Sequence, residues 1–343
     1  MSRLGEKAVY HLSQSARVGF FLGNRLLSNR LSGPVVALDK ASGPIPSLAD
    51  LLADMRILMQ EDLANVQKGL YPMPLDGLTS PMTSLRQMVR YFADLPAIHR
   101  RRKAKLHQEI TPEGGLEFPR YYLQNFHYQS DGWLSDASAQ RYDYQVEVVF
   151  LGAADAMRRQ LLGELVQWAR GKNEPVKIAD LACGTGRFLH QIRSALPGAK
   201  LHGVDLSPYY IERGKKRFIG DRNTVLEISA LEALSLGDES FDALSCIFTF
   251  HELPPKIRVQ AAKEIARVLK PGGRYFHMDS VQKGDHAPYE ALLDLFPDAF
   301  HEPYYKSYVN TDLQALFEGA GLVLKQQSRA FFSKLSVFEK PLT

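Results

Sequence analysis

Asp180-Leu181-Ala182-Cys183-Gly184-Thr185-Gly186 couples a carboxylate to a turn of small residues, a pairing suited to holding a polar organic ligand. Ile178 to Leu181 reads as the end of a buried strand, and Phe188, Leu189 and Ile192 then recur at helical spacing. A strand, a glycine turn and a helix bring backbone N–H groups and a helix N-terminus up to a ligand. Asp205 ends a second strand-like run 19 residues after Gly186. A carboxylate there is placed to accept hydrogen bonds from the two hydroxyls of a ribose. Thr249-Phe250-His251-Glu252 closes a later strand, at the end where open α/β sheets carry their chemistry. His251 is suited to general base work near neutral pH; packing or orienting a loop is the alternative reading.

Two aromatic stretches flank these motifs. Residues 119–150 contain Tyr121, Tyr122, Phe126, His127 and Tyr128, then Trp133 and Tyr142-Asp143. Rings alternating with polar groups suit a surface that wraps an organic ligand, and they equally suit packing between two parts of the protein. We expect Tyr121, Tyr122 and Phe126 to bind substrate, and His127 and Tyr128 to position it or move a proton. The second stretch, 279–310, holds Tyr289, Phe296, Phe300, His301, Glu302, Tyr304, Tyr305 and Tyr308. Tyr304, Tyr305 and Glu252 join the expected substrate set, with core packing as the alternative for the rings. The ten histidines are scattered along the chain, and no His/Asp/Glu set at ligand spacing is visible. No metal is therefore expected.

The elements that must position these residues follow from periodicity. Residues 151–343 alternate helix and strand, which predicts a doubly wound α/β sheet with right-handed crossovers. Expected helices cover 153–170, 187–195, 208–218, 256–269 and 311–320. Expected strands cover 176–181, 200–205, 225–228, 243–248 and 274–279, followed by a terminal hairpin. Pro271-Gly272-Gly273 reads as a tight turn between a helix and a strand. Residues 1–118 read as a mainly helical N-terminal domain. One or two amphipathic helices fill 1–31, a Ser47-capped helix runs to Val66, and another covers 84–92, with the basic run after Pro96 as its continuation. Residues 119–150 are the connector, expected to form a lid.

At 343 residues the chain suits one large domain with a smaller one, and 45% hydrophobic with 23% charged residues is a globular composition. No apolar run is long enough to span a bilayer. Cys183 and Cys246 alone give no disulfide framework, and with no secretory leader pattern a cytoplasmic protein is expected. The net charge of +4 is N-terminal: residues 1–115 carry 15 Lys or Arg against 10 Asp or Glu. Arg100-Arg101-Arg102-Lys103-Ala104-Lys105 is its sharpest cluster, readable as a phosphate grip or as a solvated helix end.

Asp180 to Gly186 resembles the first motif, D-x-G-x-G-x-G, of class I S-adenosylmethionine-dependent methyltransferases, with Ala182 in place of its first glycine. Phe241-Asp242-Ala243-Leu244 is similar to that family's fourth strand. Arg267-Val268-Leu269-Lys270-Pro271-Gly272-Gly273 is similar to the segment before its fifth. Within the family the core most resembles the type 11 group, the ubiquinone/menaquinone biosynthesis C-methyltransferases. The resemblance implies a Rossmann-like sheet with an antiparallel last strand and S-adenosylmethionine as cofactor. It implies donor contacts at Asp180, Ala182, Gly184, Gly186, Asp205, Leu206 and Phe248. The family's adenine-binding acid has no match here, so backbone around Ala230 and Leu231 is expected to take that edge. Asp242 is expected to pin the start of its strand.

The expected function is methyl transfer to a carbon or oxygen of a small aromatic, quinone-like or lipid-like acceptor. The alternatives are a nucleic-acid methyltransferase guided by the basic N-terminal region, and a non-catalytic S-adenosylmethionine-binding partner protein. Nucleic acid is the less expected ligand, because no N-P-P-Y-type motif follows the fourth strand. A homodimer through the N-terminal helices and peripheral contact with a membrane are the partner arrangements considered.

Overall fold

The computed structural model describes residues 3–33, 41–75, 81–107, 110–111 and 117–342. Strands β1 (Lys177–Leu181), β2 (Lys200–Asp205), β3 (Thr224–Ile228), β4 (Phe241–Ile247), β5 (Leu269–Ser280), β6 (Val323–Ala330) and β7 (Ser333–Glu339) form one sheet in the order β3-β2-β1-β4-β5-β7-β6. The first five are parallel, and β7 runs antiparallel between β5 and β6. Ile178 packs into one hydrophobic cluster and its neighbour Ala179 into another, so β1 is covered on both faces. Such burial selects the short apolar runs by which these strands were legible.

Helices α1 (Arg3–Ser32), α2 (Leu48–Gln67), α3 (Pro81–Ala104) and α4 (Asp136–Val149) precede the sheet. Around and between the strands lie α5 (Ala154–Arg170), α6 (Arg187–Ala195), α7 (Pro208–Arg217), α8 (Pro255–Val268), α9 (Glu290–Phe300), α10 (Tyr305–Tyr308) and α11 (Leu313–Glu318). Residues 3–32 form one helix. Residues 81–104 also form one helix, joining the expected stretch 84–92 to its continuation after Pro96. Pro96 deprives the Phe92 carbonyl of its intrahelical donor, yet packing of Tyr91, Leu95 and Ile98 holds both sides in line.

α2 lies on α5 through Met55, Leu58, Met59 and Leu63. At their junction Arg159 donates to both oxygens of Asp62 at 2.8 and 2.6 Å. Tyr10 of α1 and Tyr71 donate to the same carboxylate at 2.5 and 2.7 Å. The N-terminal helices thus share a continuous core with the helical layer on the sheet. The outer side of α1 leaves Leu4, Leu12, Leu26 and Leu31 exposed. Among the described residues no helix is long and apolar enough to cross a membrane.

Pro271-Gly272-Gly273 departs from the expected turn: it continues β5, which pairs with β4 across a register shift between Phe241 and Ala243. The Gly272 N–H donates to the Lys340 carbonyl at 2.8 Å, and a side chain at Gly273 would meet the Asp242 carbonyl at 2.9 Å. Asp242 itself accepts from the Lys177 N–H and the Lys270 ammonium, both at 2.8 Å, pinning the strand starts as expected.

Candidate active site

Parallel pairing sets Leu181 beside Val204, so the turn after β1 and the carboxylate ending β2 emerge together. Ala182, Gly184 and Gly186 all take left-handed backbone, with φ of 54°, 55° and 72°. Glycine adopts this freely, whereas at Ala182 it costs roughly 1–2 kcal/mol. A side chain at Gly186 would also meet the Phe218 ring at 2.9 Å. The turn therefore places backbone N–H groups around a hollow at the start of α6. Cys183 is buried in this turn and burial pushes its thiol up, in keeping with a packing role.

Asp205 closes the hollow. Its carboxylate accepts the Gly184 N–H at 2.9 Å and the Ser207 N–H at 2.8 Å. Burial still raises it to about 6. Each oxygen retains a lone pair for a ligand hydroxyl. Asp180 accepts from the Ser245 hydroxyl at 2.6 Å, and burial raises it to about 7.

Two cavities meet here. The larger encloses ≈ 740 Å³ with its open mouth, and is lined by Ala182, Gly184, Asp205, Leu206, Ser229, Leu231 and Phe248 on the sheet side. The smaller reaches Asp180, Thr185 and Arg187, and the two share Tyr142, Ala182, Gly184, Ile247 and Phe248. Gly186 lines neither cavity; it shapes the turn and caps α6. Ala230 also stays outside, bridging to Ala233, while its neighbours Ser229 and Leu231 face in.

Tyr121, Tyr122, Phe126, Trp133 and Tyr142 roof the larger cavity. Phe126 stacks on Trp133 at 5.8 Å, and Trp133 meets Tyr142 edge-on at 5.6 Å. Tyr121 donates to Glu232 at 2.8 Å, the Trp133 carbonyl accepts from Ser207 at 2.6 Å, and Ser138 bonds Tyr210 at 2.9 Å. Asp143 of α4 accepts from Thr185 at 2.8 Å and Arg217 at 2.7 Å, fixing the roof to the turn. Trp133 and Tyr142 were part of the aromatic stretch but not of the expected substrate set; their density beside the glycine turn was the available signal.

Four expected site residues lie elsewhere. His127 and Tyr128 both have φ of 56°, and neither lines the cavity under the roof. Tyr128 is buried, its hydroxyl donating to the Asp298 carbonyl at 3.4 Å, so a catalytic part for it is not supported. His127 passes behind Trp133 toward Glu302, 3.2 Å from its carboxylate, and burial pulls its imidazole down to about 3. Tyr305 is buried against Phe296 at 4.6 Å with its hydroxyl on Ser280 at 2.6 Å, so it is core and not a substrate contact. Tyr304 packs at the edge of the Phe126–Trp133 cluster without lining the cavity.

Glu252 faces the cavity from the turn after β4. Burial raises it to about 7. His251 lies behind it, its Nδ1 2.6 Å from Asp279. Burial opposes its charge, but the Asp279 carboxylate outweighs this and raises it to about 9. His251 is therefore a charged hydrogen-bond donor at neutral pH, not the free base that its position in the sequence suggested. Asp279, at the end of β5, was not anticipated.

Residues 178–273 match the methyltransferase domain family. The chain carries a methyltransferase domain over these residues. The ubiquinone/menaquinone biosynthesis C-methyltransferase UbiE of Geobacter sulfurreducens is 30% identical over 140 residues, 40% of this chain and 52% of that protein. The demethylmenaquinone methyltransferase of Deinococcus radiodurans is 30% identical over 138 residues, 40% of this chain and 54% of that protein. A tRNA N(3)-methylcytidine methyltransferase of Schizosaccharomyces pombe is 30% identical over 112 residues, 31% of this chain and 44% of that protein. The chain thus spans about half the length of the curated relatives it matches. Among solved structures, the YcgJ protein of Bacillus subtilis superposes with a TM-score of 0.41 at 22% identity, covering 50% of this chain and 71% of that one. In the methyltransferase domain the glycine turn and Asp205 border the larger cavity on the sheet side, and the aromatic roof covers it from the other.

Proposed function

We propose that this protein transfers the methyl group of S-adenosylmethionine to a carbon or oxygen of a small aromatic, quinone-like or lipid-like acceptor. The observation that carries the reading is the shared wall of the two cavities. Ala182, Gly184 and Phe248 border both the donor turn and the space under five aromatic side chains. Asp205 takes the ribose hydroxyls, Ser229 and Leu231 border the adenine, and Asp180 receives the methionine end. The sulfonium is already a strong electrophile, so the protein's main contribution is alignment. Holding a flat acceptor between the roof and the donor supplies about 7–11 kcal/mol of barrier lowering. Ring faces do this for a planar molecule without demanding charge.

The names of the quinone-methylating relatives support this acceptor class. The basic run gives the nucleic-acid reading little support: Arg101 donates to the Tyr128 carbonyl at 2.6 Å and to Ser130 at 3.0 Å, and Arg102 lines an internal cavity beside His127.

The test is a set of initial rates with deuterated-methyl S-adenosylmethionine and a panel of hydroquinones, naphthols, catechols and prenylated phenols, with product methyl position read by NMR. Saturable transfer to a ring carbon or ring oxygen is expected. Transfer to none of the panel, with transfer to RNA instead, would overturn the acceptor class.

A further inference from the structure

Three polar side chains far apart in sequence converge behind the roof. His127 comes from the left-handed step in the aromatic segment, Glu252 from the turn after β4, and Glu302 from the residues after α9. One imidazole nitrogen and one oxygen from each carboxylate lie within 4.8 Å of one another. His127 Nε2 is 3.2 Å from Glu302 Oε1, and the Glu302 side chain is 0% exposed. Among the described residues neither Glu302 oxygen nor His127 Nδ1 has a hydrogen-bond partner. Buried polar atoms are nearly always paired, and buried charges are paired or bind metals. His251 sits 3.9 Å from Glu252 and is already held by Asp279 at 2.6 Å. Two glutamate side chains and an imidazole thus face one another, with both oxygens of the buried Glu302 left without a hydrogen-bond partner among the described residues.

We propose that His127, Glu252 and Glu302 are the protein ligands of one divalent first-row transition ion, of the Zn²⁺ or Mn²⁺ kind. One nitrogen and two oxygens suit such ions, whereas Mg²⁺ and Ca²⁺ favour all-oxygen shells. Bonds of about 2.1 Å in tetrahedral array put ligand atoms about 3.4 Å apart, so the three ligand atoms, now within 4.8 Å of one another, would draw together on binding. Three protein ligands leave a coordination position open, as in catalytic zinc sites. Glu252 also lines the donor cavity, so that position adjoins the acceptor space. An acceptor oxygen would take it; this part alone rests on the methyl transfer proposed above. The expectation of no metal came from spacing along the chain, which conceals a set assembled from residues 127, 252 and 302.

The full chain, stripped with chelator, is titrated with Zn²⁺ and Mn²⁺ by calorimetry, with Mg²⁺ as the comparison. One equivalent of either transition ion should bind at micromolar or tighter Kd, and Mg²⁺ at least 100-fold more weakly. Glu302→Gln and His127→Ala should each weaken the ion at least 100-fold while S-adenosylhomocysteine affinity stays the same. That second titration reports the fold and the donor site independently, so failure of the metal site and failure of the methyl-transfer reading are separable. Pulsed EPR of Mn²⁺ on the unaltered protein should show coupling to one imidazole nitrogen. No ion binding, ion binding that Glu302→Gln leaves intact, or Mn²⁺ without nitrogen coupling would each overturn the proposal; the first would leave Glu252 and Glu302 as a pair of carboxyl groups sharing a proton.

Discussion

Asp205 reaches from the end of β2 to the turn after β1 and accepts the Gly184 N–H at 2.9 Å. One carboxylate thereby fixes the left-handed turn and presents its remaining lone pairs to the cavity. Asp205→Ala should weaken S-adenosylhomocysteine binding by about 10–150-fold, the equivalent of 1.5–3 kcal/mol for hydrogen bonds to a charged group. Calorimetry reads this directly, and unchanged affinity would remove Asp205 from the donor site.

The same carboxylate predicts a pH dependence. Burial raises Asp205 from 3.8 to about 6, and the ionised form is the one that accepts ribose hydroxyls. Donor affinity should be level above pH 6 and fall by about tenfold for each further unit of acid. For the fold the sign is opposite. A carboxyl raised above its unfolded value stabilises most below that value, and its contribution is lost as pH rises through about 6. Donor titrations at pH 5, 6 and 7.5 check the first statement; flat affinity across them would contradict it.

The roof separates packing from positioning. Phe126 is almost fully buried against Trp133, so Phe126→Ala should cost about 3–5 kcal/mol of stability, seen as a lower Tm. Tyr128→Phe should leave turnover unchanged, because its hydroxyl serves the Asp298 carbonyl. A large fall in kcat for Tyr128→Phe would show that the aromatic segment rearranges during turnover.

Asp62 and Arg159 tie the N-terminal helices to the sheet layer. Asp62→Ala leaves a buried guanidinium without its carboxylate and two tyrosine hydroxyls without their acceptor. Denaturant unfolding should show a loss of about 3–5 kcal/mol. A loss under 1 kcal/mol would mean the pair is not buried in solution.

The parts of this structure legible in the sequence are those set by local pattern. Helix 187–195 and strand 200–205 fall where the apolar spacing puts them, and Asp242 pins the strand starts its motif suggested. The parts that were not legible depend on tertiary context. The helix expected at 84–92 runs on through Pro96 to Ala104, because burial on both sides of the proline holds it in line. Pro271 to Gly273 reads as a turn, but pairing with the end of the chain extends it. His127 and Tyr128 sit within the aromatic run, yet both take left-handed backbone and neither lines the cavity under the roof. Glu302 carries no motif at all, and only the fold brings it to His127 and Glu252.

The most direct measurement is the fate of the methyl group itself. Purified protein, methyl-labelled S-adenosylmethionine and total cell extract are incubated, and the label is partitioned among small molecules, nucleic acid and protein. The account predicts label in an organic-extractable aromatic or quinone-like compound, abolished in Asp205→Ala. Label confined to RNA or protein, or none above that variant's background, would contradict it.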